Sequence, residues 1–394
     1  MKFTAGSILL CVLVAVACVG EDVAQNASSS SSSSGVTASS SGTSPDPCAD
    51  GSCDANSSSG ASPSCDAPQR MCGADCVSVD TNPNHCGGCG QRCDNGCQAG
   101  RCLPTQLVQG AIKHFEVTAN ALYISRDNAI ARCPIDAPCT DPQALFTPSD
   151  SRLSLGDFVV DGERLVFFQI PSVIVSGTTL LSACSVANCA TPIPLGTYEG
   201  ARPTGLSIGA THLVYAVTVS TNDGGTLHGL ERGSNMPFTV VKANDRSIEY
   251  TRLAAGDRAT SYARANSNEV EVRTLASNGV SLGSVAATTV TRTRIVDGVV
   301  WFAEQAGRIA RITNNGGVEI VASTGDAKVQ DFALEGDSLY WLNERTREVQ
   351  RCAINDCANT GVVLAVDQLG LRQLEITATH VYWTSTSGLH RLMR

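Results

Sequence analysis

The sequence predicts an all-β chain: a seven-bladed β-propeller preceded by a small disulfide-rich module and a disordered tether. Three observations carry this. Val, Thr, Ser and Gly abound where strong helix formers would be needed for an α fold. Eighteen cysteines lie in 394 residues, many crowded into one short stretch. After residue 104 a strand-turn-strand unit recurs at the spacing of propeller blades. Apolar content of 42% is enough for a core. The net charge of −9, with Lys and Arg scattered, argues against nucleic acid and against electrostatic docking on anionic lipid.

Lys2, the apolar run from Ile8 to Val16, and small residues at Ala15 and Ala17 make residues 1–17 a secretory signal peptide. No later segment is apolar for the ~18 residues a span requires. Ala15-Val16-Ala17-Cys18 resembles a bacterial lipobox, although that family prefers Leu where Ala15 stands. The resemblance implies that Cys18 is lipidated and becomes the mature N-terminus, so the membrane is met only through a lipid anchor. The expected location is the outer membrane or cell surface, with plain secretion as the alternative. Residues 18–64 form the tether. Its unbroken run Ser28–Ser34 has nothing to bury and stays solvated.

Residues 65–102 hold Cys65, Cys72, Cys76, Cys86, Cys89, Cys93, Cys97 and Cys102. Apolar residues are too few there for a core, so cross-links must replace it. Cys48 and Cys53 upstream are expected to pair locally. Cys86-Gly-Gly-Cys89 also has a zinc-knuckle spacing, but the signal peptide and the even count favour disulfides, and no metal or cofactor is expected. Connectivity stays open at this point. Cys72-Gly-Ala-Asp-Cys76, Asn84-His-Cys86-Gly-Gly-Cys89-Gly and Gly100-Arg-Cys102 resemble the Stig1-type module. That resemblance implies an extracellular disulfide domain without catalytic activity.

Residues 104–394 carry the repeat. Val117 to Ile124, Val160 to Phe167, Ile208 to Tyr215, Ala255 to Tyr262, Val296 to Phe302, Leu334 to Trp341 and Ile376 to Trp383 each read as strand, turn, strand. Anchors at 122, 165, 213, 259, 300, 339 and 381 lie 39 to 48 residues apart. Seven blades fit this spacing best, with six and eight as alternatives. Asn314-Asn-Gly-Gly317 and Asn278-Gly279 mark the turn between third and fourth strands. Cys133 with Cys139, Cys184 with Cys189, and Cys352 with Cys357 fall at the same turn in other units, and each pair is expected to form a local disulfide. Thr105 to Gln109 precedes the first unit and fits a fourth strand for the last blade, closing the ring. The Leu339-Tyr-Trp and Val381-Tyr-Trp strands resemble the YWTD and NHL propellers, which implies the fold and no ligand.

Function is less legible. His114, Asp157, Gly205, Arg252, Thr293, Asp331 and Gln373 stand just before the innermost apolar strands and would ring the channel. Of these, His114, Asp157, Arg252, Asp331 and Gln373 are the candidate ligand-binding residues, against the bland alternative of a solvated rim. The six histidines are scattered, and no nucleophile elbow, zinc-protease motif or phosphate loop occurs. The sequence therefore reads as a monomeric, non-enzymatic binding platform for a protein or glycan outside the cytoplasm, with an extracellular hydrolase or lyase as the alternative.

Overall fold

The structure, a computed structural model, describes residues 65–394 apart from 175–176, 220–223, 243–249, 265–267 and 326. The expected signal segment and tether, with Cys18, Cys48 and Cys53, lie outside the described residues. Among the described residues no helix is long and apolar enough to cross a membrane.

Two short hairpins, Gln69–Cys72 with Asp75–Ser78 and Cys97–Gln98 with Arg101–Cys102, are the regular structure of the cysteine module. Disulfides join Cys65 to Cys76, Cys72 to Cys89, Cys86 to Cys97 and Cys93 to Cys102. All eight sulfurs are thus bonded in pairs, and the zinc-knuckle spacing holds no free thiolate. Cys86 is fully buried, so a disulfide serves as the centre of a domain too small for an apolar one. Asp94 anchors the module on the last blade: its carboxylate meets His380 Nε2 at 2.9 Å and Arg391 Nη2 at 3.4 Å. Cys102 adds apolar contact against a core built from Leu374, Trp383 and Leu392.

Seven four-stranded antiparallel sheets follow, at residues 114–146, 153–199, 201–242, 250–286, 290–323, 329–365 and 374–393. Strands within each blade are paired in sequence order. The seventh supplies three strands of its own, and Thr105–Gln109 is the fourth, with Leu389 opposite Val108 and Arg391 opposite Thr105. That pairing removes the free edge a three-stranded last blade would expose.

The core lies between blades, because alternate residues of each strand face the neighbouring sheets. Trp301 of blade five and Trp341 of blade six share one cluster with Phe332. Tyr340 of blade six and Trp383 of blade seven share another. Phe168 and Tyr215 join blades two and three, their rings 5.9 Å apart edge to face. Each such side chain contributes ~1.5–3 kcal/mol by burial.

Disulfides also link Cys133 to Cys139, Cys184 to Cys189 and Cys352 to Cys357. Each ties the end of the third strand of its blade to the segment that follows it. In blade six the connection differs from the simple hairpin the repeat implies. A short helix, Cys357–Thr360, replaces it, and Thr360 Oγ1 accepts the Ala353 N–H at 2.9 Å. Blades four and five turn without a disulfide, using Asn278 at φ 56° and Gly316 at φ 80°.

Candidate functional site: the central channel

The innermost strands surround a channel cavity of about 490 Å³ lined from all seven blades. In blades two to six these strands carry a register shift near their start, at Leu155/Phe158, Pro203/Gly205, Thr251/Ala254, Val290/Arg292 and Val329/Phe332. Such a bulge breaks the pleat and re-aims a side chain. Asp157, Arg252 and Asp331 all sit in these bulges and line the channel. Arg252 is held at φ 55°, a left-handed backbone that costs a non-glycine residue ~1–3 kcal/mol. His114 and Gln373, from blades one and seven, line the same space.

An innermost strand has a paired neighbour on one side only, so its other backbone groups need partners. Side chains supply them. Gln373 Oε1 accepts the Phe115 N–H at 3.1 Å, and Nε2 donates to the Phe115 carbonyl at 2.6 Å. Glu375 Oε2 accepts the Val117 N–H at 2.9 Å. Asp331 accepts the N–H groups of Phe332 and Leu374 at 2.8 and 2.9 Å. Arg294 donates to the carbonyls of Phe332 and Leu374 and meets Asp331 at 3.3 Å. Thr293 Oγ1 donates to the Arg252 carbonyl, and Ser207 Oγ accepts the Ala255 N–H at 3.3 Å.

This allocation divides the five candidate residues. Asp331 and Gln373, offered by sequence as ligand contacts, are buried and committed to joining blades five, six, seven and one. Asp157 and Arg252 are exposed to the channel with no side-chain partner among the described residues. His114 is intermediate: Nε2 lies 3.2 Å from Glu116 Oε1, and its ring meets Phe158 edge to face. Burial lowers the affinity of that imidazole for its proton, but the hydrogen bond and charge of Glu116, with Asp157, outweigh it and raise the pKa. Burial, with the nearby Glu116 charge, holds the Glu375 carboxyl well above the ordinary range. Arg252 is open to the channel, yet partial desolvation by the channel walls depresses its guanidinium; Arg292 adds to the effect, and Asp331 and Asp157 oppose it.

Gly205 and Thr293 of the anticipated ring do not line the channel; Leu206, Arg292 and Arg294 do. The bulge sets which residue of each alternating pair faces inward, so one position per blade could not be read off a fixed offset. One signal was available. In Thr291-Arg-Thr-Arg294 the two arginines flank Thr293, which is buried in the sheet, so Arg292 and Arg294 share the channel face; Thr291, at the bulge, breaks the alternation and lines the cavity as well. Lys113, Lys328 and Arg372 also line the cavity and were not singled out by sequence. A second cavity, also of about 490 Å³, opens where several innermost strands begin and shares Asp157 and Arg252 with the first.

Residues 21–104 match the family model described as the stigma-specific STIG1-like protein family. The cysteine module is thus similar to that family. Among curated proteins none matches this chain in sequence. Solved structures share the propeller. Virginiamycin B lyase from Staphylococcus aureus, in a catalytically inactive form with quinupristin, has a TM-score of 0.56 at 12% identity over 74% of this chain and 98% of its own. The WD40 β-propeller domain of Doa1 has a TM-score of 0.55 at 12% identity over 73% of this chain and 93% of its own. A prolyl endopeptidase has a TM-score of 0.54 at 14% identity, the match covering 73% of this chain and 47% of the enzyme. At these identities the likeness is one of fold alone.

Proposed function

We propose that this is an exported, lipid-anchored surface protein whose propeller binds a partner at its channel without chemically converting it. One observation carries the reading: the polar groups of the innermost strands are split between those that hold blades together and those left facing the channel. Asp331, Gln373 and Glu375 belong to the first set. Lys113, Asp157, Arg252 and Arg372 belong to the second. Side chains that are exposed, charged and unpartnered at a concave mouth suit recognition. The partner is a protein or glycan met outside the cytoplasm, and the chain acts as a monomer. The test is capture from envelope and extracellular-matrix fractions by the immobilised mature protein. A specific partner retained by wild type and lost with Lys113→Glu and Asp157→Lys supports the reading. Capture of nothing specific from either fraction rejects it.

A second reading, a hydrolase or lyase at the same channel, draws on the His114–Glu116 pair beside Glu375, since raised proton affinity at neighbouring groups suits acid–base work. Turnover of an extracellular polymer or lactone that disappears in His114→Ala would favour it.

A further inference from the structure

We infer that the channel binds a small ligand carrying two oxyanions, phosphate or carboxylate, held between Arg252, Arg292, Lys113 and Arg372. The inference rests on the binding reading above and names the chemistry of its ligand.

Six cations line the cavity: Lys113, Arg252, Arg292, Arg294, Lys328 and Arg372. Four acids face them: Glu116, Asp157, Asp331 and Glu375. Internal contacts engage three of the four acids and leave three of the six cations without a side-chain partner among the described residues. Asp331 accepts two backbone N–H groups and Arg294, Glu375 accepts the Val117 N–H, and Glu116 holds His114. Arg294 is spent on two carbonyls, and Lys328 pairs with Glu344 at 2.7 Å. Arg292 forms a looser ion pair with Asp331, its Nε 3.4 Å from Oδ1 and making no hydrogen bond. Lys113, Arg252 and Arg372 have no side-chain partner among the described residues, and opposite them only the Asp157 carboxylate is equally unspent.

The surplus is local, because the whole chain carries a net charge of −9. It also carries a cost. Arg252 and Arg292 line the cavity from adjacent blades whose backbones are joined by the Thr293 hydroxyl, and Arg292 lowers the proton affinity of Arg252, an effect that Asp331 and Asp157 oppose. Like charges on a partly desolvated wall repel, and a bridging oxyanion would offset both the repulsion and the desolvation while accepting charge-assisted hydrogen bonds. Two such groups, set by cations from blades one, four, five and seven, fit a cavity of about 490 Å³. Channel walls with so few uncommitted acids do not suit a cationic ligand.

The test is calorimetric titration of the full mature protein with inorganic pyrophosphate, with malonate as the dicarboxylate arm and spermidine as the cation control. Pyrophosphate, malonate or both should bind, more weakly as NaCl is raised, and spermidine should not. Arg252→Gln with Arg292→Gln should lower the affinity by about tenfold or more, losing charge-assisted hydrogen bonds. Asp157→Asn should raise it severalfold by removing the one unspent carboxylate. Lys113→Gln and Arg372→Gln, whose side chains have no bonding partner among the described residues, should weaken binding even if the arginine pair proves needed for folding. Absence of binding by either anion, or binding indifferent to salt and to Asp157→Asn, overturns the proposal. If the anions bind but no macromolecular partner is captured, the site stands and the platform reading falls. If a partner is captured through the channel while neither anion binds, the platform reading stands and this proposal falls.

Discussion

Gln373 spends both ends of its amide on Phe115, in the blade that begins the ring, and so substitutes for a strand partner that the channel geometry denies. Gln373→Ala should cost ~1–3 kcal/mol, the penalty for leaving a buried N–H and carbonyl unpaired. Urea denaturation measures it, and a cost near zero would mean that water fills the gap. Asp331 carries more, because its loss strands two N–H groups together with Arg294. Asp331→Ala should destabilise by about 3 kcal/mol or more. His228 gives a pH signature. It stacks on Tyr215, ring centroids 4.9 Å apart, and burial lowers its pKa from 6.5 to about 4. The folded chain then takes up this proton later than the unfolded chain does. Its contribution is intact above pH 6.5 and is lost as the pH falls toward 4, by up to about 3 kcal/mol. His228→Phe keeps the stack, and the thermal midpoint should lose that part of its acid slope.

The closing strand Thr105–Gln109 depends on one glycine. Gly388 lies opposite Gln109 at φ 144°, and a Cβ there would come within 1.9 Å of the Val108 carbonyl oxygen. Gly388→Ala should dislodge the strand, lower the thermal midpoint and open residues 105–112 to limited proteolysis; resistance equal to wild type would show that blade seven adapts. Much at this scale was legible. The Trp341 and Trp383 strands, the spacing of their turns and the spare Thr105 strand follow from period-two alternation and from residues that tolerate positive φ, both local properties of the chain. The channel was legible only in part. Asp157 and Arg252 are set by bulges, and a bulge depends on what the neighbouring strand and blade require, not on the segment itself. Asp331 and Gln373 have the residue types of ligand contacts, and only three-dimensional placement reveals that backbone groups of the next blade already occupy them. The helix at Cys357–Thr360 likewise stands where cysteine spacing alone implied a hairpin.

Along the chain the cysteine module directly precedes the strand that closes the ring. Asp94 holds it to His380 and Arg391. Asp94→Ala should speed amide exchange at residues 93–103 by roughly fivefold, the ~1 kcal/mol of a half-exposed pair; unchanged exchange would assign the docking to Cys102 and its apolar contacts. The proposed anchor predicts that Cys18→Ala moves the protein from the membrane to the soluble fraction, and continued membrane retention would reject lipidation. Ring closure also bears on how fast the chain can fold. Gln106 Nε2 donates to the Ser387 carbonyl across 281 residues of sequence, and the neighbouring ladder, from Gly388 opposite Gln109 to Arg391 opposite Thr105, spans as much. Contacts of such high order form late, since the loop entropy is spent before the ladder returns anything. The first strand of the propeller must therefore wait for the last, and until Gly388–Met393 is available the propeller exists as blades with both ends of the ring open.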